Sequence, residues 1–574
     1  MGVFYDVGRP VVGGWMGGGW VSRDEKRGID ILWGGEFGQE GSVLFGIDVD
    51  TAEIVERHWI CGREFQCNVD PRNGTLWVHT LHGIYEYGHV LQSWTPEHGL
   101  RSHGFPVMSE QRFYNAVLGP DGRLWLGTHP QGRLVSYEPQ ADAWHDHGVQ
   151  APPPHVPGQQ VWCSPKHVSA EGEVVCGIQR DPSGRVAYDP ATDSTRVLGD
   201  GEDPEPAPSP AAVSRTISAS SFRQDEVTWT VDGQERRADY RPTVATDICG
   251  LHRGPDGRIY GATIISMHIF RFDPVSRDLE DLGKVGWGGG EVYDVIACGG
   301  KVYMGSYGGG YFAAYDPDRP WNPRPGDGGE HPEANPRNFG RLGPEMNRPF
   351  EYTVGPDGRI YIACRANYHV PGGGLARFDP ETEEKKVFRD EDQSVQSVAS
   401  DETWIYGGTS IRGGRGCVET TTEARLFMFC PREERRVFEC IPEWGAIAVG
   451  NLACSPSTGL VYGSTDTGGL FAFSPEQRRV MARWSLDEEG TPLAGVPEAH
   501  GIVHLTAGRD GDIYGVSKTR VFKIDVSAGR LVHLDKAPIP DLYQIVEGFE
   551  EGVFYVGARG HLLEYHLRNT PHFR

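Results

Sequence analysis

A turn followed by a short strand recurs along this 574-residue chain. Residues 119–127 read GPDGRLWLG, residues 254–261 read GPDGRIYG, and residues 355–364 read GPDGRIYIAC. In each copy Pro fixes φ, and Asp-Gly supplies a turn in which Gly tolerates positive φ. The residues after the turn are rich in β-branched and aromatic side chains, which favour strands. A chain that repeats this pattern is predicted to be an all-β repeat protein.

The repeat unit contains four strands in about forty residues, which is typical of a β-propeller blade. Each unit has an apolar stretch, the turn, a strand, a loop, a strand ending in aromatic-Asp-Pro, and a last amphipathic strand. The sequence therefore predicts an all-β propeller of about eleven four-stranded blade-like repeats, as one large ring or two packed rings. The units are residues 29–62, 65–97, 113–148, 161–200, 247–283, 292–323, 350–390, 396–442, 446–485, 501–537 and 543–567.

The last unit lacks an outer strand, and the N-terminal VFYDVGRP is expected to supply it and so close the ring. We predict N-terminal propeller blades over residues 1–200 and C-terminal blades over residues 247–574, with an insertion at 321–348. Between them, residues 201–246 begin with the Pro-rich GEDPEPAPSPAA and continue as a polar-apolar alternation around Asp-Gly, which predicts a linker and an inserted hairpin.

Charge and composition exclude some classes of protein. A net charge of -24 argues against a nucleic-acid binder that neutralises phosphates. No stretch reaches the roughly 18 apolar residues of a membrane span, and the N-terminus lacks the pattern of a secretion signal, so we expect no membrane partner and a cytoplasmic location. The 11 cysteines are scattered without a CxxC pair, which favours buried reduced thiols. The oligomeric state stays open.

No strong catalytic motif is present, so the candidate site is sought at one end of the propeller channel. There the loops between second and third strands meet the loops that lead into first strands. Two of these loops, within CRANYHVPGGGLARF and GGTSIRGGRGCVETTTEARLF, are longer than the others, and their glycines permit close backbone approach. They are predicted to form one wall of a site with Arg365, Asn367, Tyr368, His369, Arg412, Arg415, Glu419 and Glu423.

Other units offer His, Tyr and acidic residues at corresponding positions. A converging set of His, Tyr and Arg supplies a base near neutral pH, a phenol and a fixed cation. Three or four histidines could also bind a divalent metal ion as neutral imidazoles, with the ligands unknown, and no organic cofactor is expected. The residues are His79, His82, His129, His268 and Tyr307, together with His103, Arg112, Tyr114, Glu291, Tyr293, Arg348, Glu351, Gln396, His500 and His504.

The repeats GPDGRLWLGT with GRLVSYEP, GPDGRIYGAT with IFRFDP, and GPDGRIYIAC with LARFDP resemble the blades of propeller lyases. These include streptogramin B lyase and the propeller polysaccharide lyases that cleave uronate-containing glycans. The resemblance is at the level of the blade repeat and covers most of the chain. It implies β-elimination, in which a cation or metal neutralises an enolate, a His or Tyr removes the proton, and an acid assists departure of the leaving group.

The leading hypothesis is a carbon-oxygen lyase acting at the channel mouth on a glycoside, a uronate-containing oligosaccharide or a related small molecule. His369, His129 or His79 would act as the base, and Tyr368 or Tyr307 would protonate the leaving group. Two alternatives stay open: a non-catalytic propeller scaffold that binds a protein or ligand, and a metal-dependent hydrolase or isomerase of the lactonase-like type. The proposed binding residues are Arg365 and Arg412 for the anionic group, with Arg348, Tyr114 and Glu419.

Overall fold

The computed structural model describes residues 2–567 apart from 39–40, 61, 63, 83–90, 105–111, 151–160, 181–182, 209–212, 214, 224–225, 265–266, 325–330, 332 and 487–502. Every element in these ranges is a β-strand, and the strands form eleven four-stranded antiparallel sheets and one three-stranded sheet. The prediction of an all-β propeller with about eleven blade-like repeats is confirmed. Over the same ranges no helix is long and apolar enough to span a membrane. Of the candidate residues, His500 and the side chains of His82 and Arg112 lie outside the described part.

The chain forms two compact units. One unit comprises Val12–Val244, and the other, which we call the ring unit, comprises Met1–Val11 and Ala245–Arg574. The first eleven residues thus belong with the C-terminal blades. The segment predicted as a hairpin between two sets of blades lies within the unit Val12–Val244.

The unit Val12–Val244 contains five sheets, formed by β2–β5, β6–β9, β10–β13, β14–β17 and β18–β20. The strands are β2 (Trp15–Asp24), β3 (Ile29–Phe37), β4 (Ser42–Asp48), β5 (Ile54–Ile60), β6 (Glu64–Val69), β7 (Leu76–His82), β8 (Leu91–Thr95), β9 (Gly99–Ser102), β10 (Arg112–Leu118), β11 (Leu124–His129), β12 (Arg133–Glu138), β13 (Ala143–Val149), β14 (Trp162–Val168), β15 (Val174–Gln179), β16 (Gly184–Asp189), β17 (Ser194–Val197), β18 (Ile217–Phe222), β19 (Glu226–Val231) and β20 (Gln234–Asp239).

The first sheet of this unit begins with β2, before the start of the predicted repeat unit 29–62. The prediction missed this strand because it contains three consecutive glycines, which are uncommon inside strands. The structure explains the glycines by close packing. A Cβ at Gly18 would lie 2.5 Å from the ring of Phe222 and 2.7 Å from the Cα of Gly34. Strand β2 therefore needs Gly at position 18, where Gly34 of strand β3 and the ring of Phe222 approach most closely.

The ring unit contains seven four-stranded blades. Blades 1 to 6 are β21–β24, β25–β28, β29–β32, β33–β36, β37–β40 and β41–β44, and blade 7 is β45–β47 with β1 as its outer strand. The strands are β1 (Gly2–Gly8), β21 (Ile248–Arg253), β22 (Ile259–Thr263), β23 (His268–Phe272), β24 (Leu279–Lys284), β25 (Val292–Cys298), β26 (Lys301–Ser306), β27 (Tyr311–Tyr315), β28 (Arg337–Arg341), β29 (Met346–Val354), β30 (Ile360–Ala366), β31 (Gly373–Phe378), β32 (Lys385–Asp390), β33 (Ser394–Ser400), β34 (Ile405–Ser410), β35 (Leu426–Cys430), β36 (Arg435–Cys440), β37 (Val449–Cys454), β38 (Val461–Thr465), β39 (Gly469–Ser474), β40 (Arg479–Ser485), β41 (His504–Ala507), β42 (Ile513–Val516), β43 (Arg520–Asp525), β44 (Arg530–Lys536), β45 (Leu542–Glu547), β46 (Val553–Ala558) and β47 (His561–Leu567).

The ring closes where the N-terminal strand completes the last blade, as the sequence predicted. Strand β1 pairs antiparallel with β47, and the ring of Phe4 packs 4.6 Å from that of Tyr565. Blade 7 then packs on blade 1 through a buried cluster that includes Ile248, Phe272 and Tyr555. Because β1 covers the outer edge of β47, blade 7 has the same four strands as its neighbours.

The repeated turn is tied to the strand that follows it. The Asp of the turn accepts a hydrogen bond from a Tyr hydroxyl four residues later, at 2.9 Å between Asp357 and Tyr361 and at 2.6 Å between Asp510 and Tyr514. The aromatic ring after the turn fills the space between blades, and its hydroxyl is satisfied by the turn itself. One short phrase therefore encodes both the hairpin and the interblade contact.

The inner strands of blades 2 to 7 are linked around the axis by hydrogen bonds from one blade to the next. Asp294 accepts the N–H of Tyr352 at 3.3 Å, Glu351 accepts that of Val398 at 2.9 Å, and Asn451 accepts that of Leu505 at 2.7 Å. The series also includes the Ser397 hydroxyl donating to the Val449 carbonyl at 2.9 Å and His504 Nδ1 accepting from the Ile545 N–H at 3.5 Å. These buried polar groups fix each inner strand against its neighbour.

Candidate functional site

The candidate site lies in the ring unit, at the loops of blades 2, 3 and 4. Tyr307 directly follows β26, and Tyr368 lies in the loop between β30 and β31. Arg348 in β29 and Arg365 in β30 occupy paired positions of one antiparallel ladder. Cross-strand neighbours project from the same face of a sheet, so the two guanidinium groups come from adjacent strands of blade 3.

Arg348 is almost fully buried among aromatic side chains. Its Nε donates to the hydroxyl of Tyr293 at 3.2 Å and its Nη2 to that of Tyr368 at 3.5 Å, while the guanidinium lies 4.2 Å from the ring centroid of Tyr307. Its buried Nη1 has no hydrogen-bond partner among the described residues. Burial opposes the charge, but the neighbouring tyrosines and Glu291 outweigh burial and raise the pKa of Arg348. The group is a fixed cation with one nitrogen, Nη1, left to donate to a ligand.

Arg365 is a second buried cation beside Arg348. Its guanidinium lies 5.1 Å from the ring centroid of Phe350, and its buried Nε has no hydrogen-bond partner among the described residues. Burial, followed by the charges of Arg348 and Arg412, lowers the pKa of Arg365 to about 9. The lowered pKa reflects the free-energy cost of keeping the Arg365 guanidinium charged in a buried position next to other cations. A bound anion would offset that cost.

Two tyrosine hydroxyls face each other next to Arg348. The Oη atoms of Tyr307 and Tyr368 are 2.7 Å apart. Burial raises the pKa of Tyr307 above its ordinary value. Burial acts in the same direction on Tyr368, but the charges of Arg415 and Arg348 outweigh it and lower the pKa of Tyr368. Two phenols in hydrogen-bond contact with pKa values moved in opposite directions form a natural acid and base pair.

The two enlarged loops are held together by backbone contacts. The N–H of His369 donates to the carbonyl of Arg415 at 2.9 Å, and that of Gly414 donates to Val370 at 3.0 Å. A Cβ at Gly414 would lie 1.8 Å from the carbonyl oxygen of Asn367. The glycines of the second loop therefore permit the close approach that places Arg415 near Tyr368.

The axial cavity lies beside this cluster and shares residues with it. Tyr293 and Phe350 line both, and the cavity also contacts Glu351, Asn451 and His504. The cavity has a volume of about 40 Å³. Burial, and then the charge of Asp294, raises the pKa of Glu351, and burial lowers the pKa of His504 to about 4. The floor of the site is thus polar and shielded from solvent.

β-Bulges in the inner strands lie at residues that line this cavity. The register shifts at Cys249, at Phe350, at Gln396 and at Gly450, each of which lines the cavity. Bulges often re-aim a side chain next to a functional site. Sequence reasoning missed Cys249, Phe350 and Gly450, although each precedes the first residue of the following turn by five positions, a spacing that could have revealed them.

Several of the predicted site residues come together in this cluster, namely Tyr307, Arg348, Arg365 and Tyr368. Arg412 contributes to the positive charge felt by Arg365 and forms an ion pair with Glu419 at 3.5 Å. His369 has its backbone in the loop contact described above, with a φ of 60°, and is exposed. The histidine predicted as the base therefore lies on the surface of the loop, beside the tyrosine pair in sequence.

Six of the predicted residues belong to the unit Val12–Val244, namely His79, His82, His103, Arg112, Tyr114 and His129. His79 is fully buried, and burial lowers the pKa of its imidazole to about 3. The ring of His129 stacks on that of Trp162 with centroids 4.2 Å apart. Tyr114 donates its hydroxyl to Gln179 at 3.2 Å. In the part of the chain that the structure describes, no group of three or more His, Cys, Asp or Glu side chains is placed to hold a metal ion.

Comparisons with known proteins give a resemblance of fold at low identity. No protein-family model and no curated protein matches the chain. Virginiamycin B lyase from Staphylococcus aureus is similar over 56% of this chain and 95% of its own, with 10% identity and a TM-score of 0.42. A structure of streptogramin B lyase is similar over 56% and 94%, with 11% identity and a TM-score of 0.42. The extracellular domain of the one component system BT4673 from B. thetaiotaomicron is similar over 95% and 69%, with 12% identity and a TM-score of 0.38.

Proposed function

We propose that the ring unit is a carbon-oxygen lyase that acts on a uronate-containing oligosaccharide by β-elimination. The observation that carries the proposal is the pair of buried arginines, Arg348 and Arg365, at paired positions of β29 and β30. Each has a buried nitrogen that lacks a hydrogen-bond partner among the described residues. Two such cations with unsatisfied N–H groups favour a carboxylate ligand, because a carboxylate accepts several hydrogen bonds from guanidinium groups.

The arginines would act on the substrate carboxylate in both the ground state and the transition state. Arg348 and Arg365 hold the carboxylate and stabilise the negative charge that moves onto it when the adjacent C–H bond breaks. Both groups are already buried and fixed by aromatic neighbours, so little reorganisation is needed as that charge develops.

The tyrosine pair would carry the protons. Tyr368, with its lowered pKa, acts as phenolate and takes the proton from the carbon next to the carboxylate. The electron pair of that C–H bond forms the new double bond, the carbon-oxygen bond to the leaving group breaks, and Tyr307 gives its proton to the departing oxygen. Proton transfer from Tyr368 to Tyr307 across the 2.7 Å contact restores the starting state.

The test is an elimination assay with a matched tyrosine control. The purified protein is incubated with uronate oligosaccharides, and the conjugated double bond of the product is followed by ultraviolet absorbance. We expect activity that falls about 10²-fold or more in Tyr368→Phe. The control is Tyr361→Phe, on the same strand β30 but with its hydroxyl on the turn Asp357, and it should keep the activity.

The outcomes separate the proposal from the open alternatives. Hydrolysis products without the double bond would instead indicate a hydrolase. Binding of the oligosaccharides with no product would indicate a non-catalytic scaffold. Equal activity of Tyr368→Phe and the unsubstituted protein would remove the tyrosine pair from the reaction.

A further inference from the structure

Three loops on the face that carries the arginine and tyrosine cluster each expose a large apolar side chain. Tyr368 is 40% exposed, Val418 is 42% exposed and Trp444 is 75% exposed. They lie on the β30–β31 loop of blade 3, the β34–β35 loop of blade 4, and the connection from blade 4 to blade 5. All three connections are at the same end of the ring unit, because loops between second and third strands and loops into first strands share one face of a propeller. Val418 and Trp444 are therefore exposed on the same face of the ring unit as the tyrosine pair.

The connection that carries Trp444 is bound to the enlarged loop of blade 4. The N–H of Ile411 donates to the carbonyl of Ile447 at 3.0 Å, and that of Ala424 donates to Ala446 at 2.8 Å. These bonds join both ends of the loop that contains Arg412 and Arg415 to residues two and three positions after Trp444. Trp444 thus belongs to the same assembly of loops as the site.

Trp444 is also held on a rigid support. On one side of it the carbonyl of Pro442 accepts a hydrogen bond from Arg483 at 3.0 Å, and the carboxylate of Glu443 accepts hydroxyl hydrogen bonds from Thr465 and Thr467. On the other side the N–H groups of Ile447 and Ala448 both donate to Asp466 at 2.9 Å. A large aromatic ring is thereby displayed in solvent on a fixed backbone, at the energetic cost of exposing apolar surface.

We infer that Trp444 is a stacking platform for a further sugar ring of the same oligosaccharide whose uronate occupies the arginine and tyrosine cluster. The inference rests on the proposed function. Polar residues follow the exposed Val418 directly in the chain, namely Glu419, which pairs with Arg412, and the threonines at 420–422. A sugar ring matches such a surface, since it presents C–H groups on its faces and hydroxyls at its edge. The substrate class is therefore an oligosaccharide that extends past the cleaved unit, and Trp444 sets a preference for length.

The test measures binding as a function of chain length. The probes are di- and hexasaccharides of galacturonate, the corresponding pair of alternating glucuronate and N-acetylglucosamine, and a neutral cellohexaose, each titrated by calorimetry. Trp444→Ala should weaken hexasaccharide binding about tenfold and leave disaccharide binding within about twofold. Trp444→Phe should restore most of the loss. The matched control is Trp59→Ala, which removes another exposed indole, 54% accessible, from the unit Val12–Val244, and it should change neither affinity.

The outcomes distinguish failure of the platform from failure of the lyase. Equal weakening of disaccharide and hexasaccharide binding, or no weakening of either, would overturn the platform, whatever the elimination assay shows. A Trp444-dependent preference for hexasaccharides in a protein that forms no unsaturated product would keep the platform and reject the chemistry. If the unsubstituted protein binds none of the probes, both inferences are wrong.

Discussion

Blades 3 and 5 of the ring unit have the same scaffold but different loops. Each has a bulged inner strand, with Glu351 in blade 3 and Asn451 in blade 5 bonded to the backbone of the next blade. Residues 367–372 join the second and third strands of blade 3, whereas residues 466–468 suffice in blade 5. The buried cations are in blade 3. The blade therefore provides a fixed frame, and the chemistry depends on the loop that each blade carries.

The substitution with the greatest predicted loss of activity removes a buried arginine of blade 3, a feature that blade 5 lacks. Arg348→Leu keeps an apolar side chain in the buried position but removes the guanidinium that contacts Tyr293, Tyr307 and Tyr368. We expect elimination activity to fall about 10²- to 10³-fold, by analogy with loss of one oxyanion donor. Steady-state kinetics on a uronate oligosaccharide measure the loss.

The control for this prediction is an arginine at the turn of the same blade. Arg359 pairs with Asp357 and Asp379, and Arg359→Leu should leave the rate unchanged. Thermal unfolding of both variants shows whether each is folded. A folded Arg348→Leu variant with full activity would contradict the role of the arginine pair.

The second prediction makes blade 2 resemble blade 5. Burial raises the pKa of Asp294 to about 8, far above its ordinary value near 3.8, whereas blade 5 uses the uncharged Asn451 at the matching position. Between about pH 4 and 8 the folded protein keeps the proton that the unfolded chain has lost, so stability falls as pH rises through this range. The slope for one proton is at most about 1.4 kcal/mol per pH unit.

Asp294→Asn should flatten that slope, because the amide does not titrate. Denaturant unfolding at several pH values measures the free energy of unfolding of both proteins. Thr403→Ala, which changes an exposed side chain without an ionisable group between β33 and β34, is the control and should preserve the slope. Parallel curves for the Asp294→Asn variant and the unsubstituted protein would show that this carboxyl is ionised when folded.

The third prediction concerns the contact between the enlarged loops. Arg415 lowers the pKa of Tyr368, so Arg415→Gln should raise that pKa and move the low-pH limb of the kcat/KM profile upward by about one unit. The backbone bond from His369 to residue 415 does not depend on the side chain. The profile measured for Arg425→Gln, at the far end of the same loop, should not move, and an unshifted limb in Arg415→Gln would assign the base to another group.

The blade repeat could be predicted because its turn and strand are contiguous in sequence. Gly355 to Tyr361 alone encode the turn, the strand and the hydroxyl bond that joins them. The pairing of β1 with β47 also followed from one missing strand. The boundary between the two units, at Val244 and Ala245, lies at the end of the predicted segment 201–246, but nothing local shows that the hairpin in this segment belongs with the N-terminal blades.

The site was predictable as a set of loops but not as a set of contacts. Loop length pointed to Arg365 and Tyr368, and the first-strand position pointed to Arg348. The sequence could not show that Tyr307, 61 positions away, meets Tyr368 hydroxyl to hydroxyl, because that contact depends on the packing of two blades. Nor could it show that His369 is exposed while its neighbour faces the arginines, since a positive φ turns the chain there.

The last prediction, with the least change in stability, tests whether the frame is the same in blade 3 and in blade 6, where residues 517–519 suffice between the second and third strands. Tyr361→Phe in blade 3 and Tyr514→Phe in blade 6 each remove a hydroxyl bonded to the Asp of the turn, and each should cost about 1 kcal/mol of unfolding free energy. The double variant should show the sum within about 0.5 kcal/mol, because the sites share no partner. Denaturant unfolding of the three proteins measures these costs. A clearly larger cost in blade 3 would mean that the turn there also supports the enlarged loop, and the blade could then no longer be treated as a neutral frame for its chemistry.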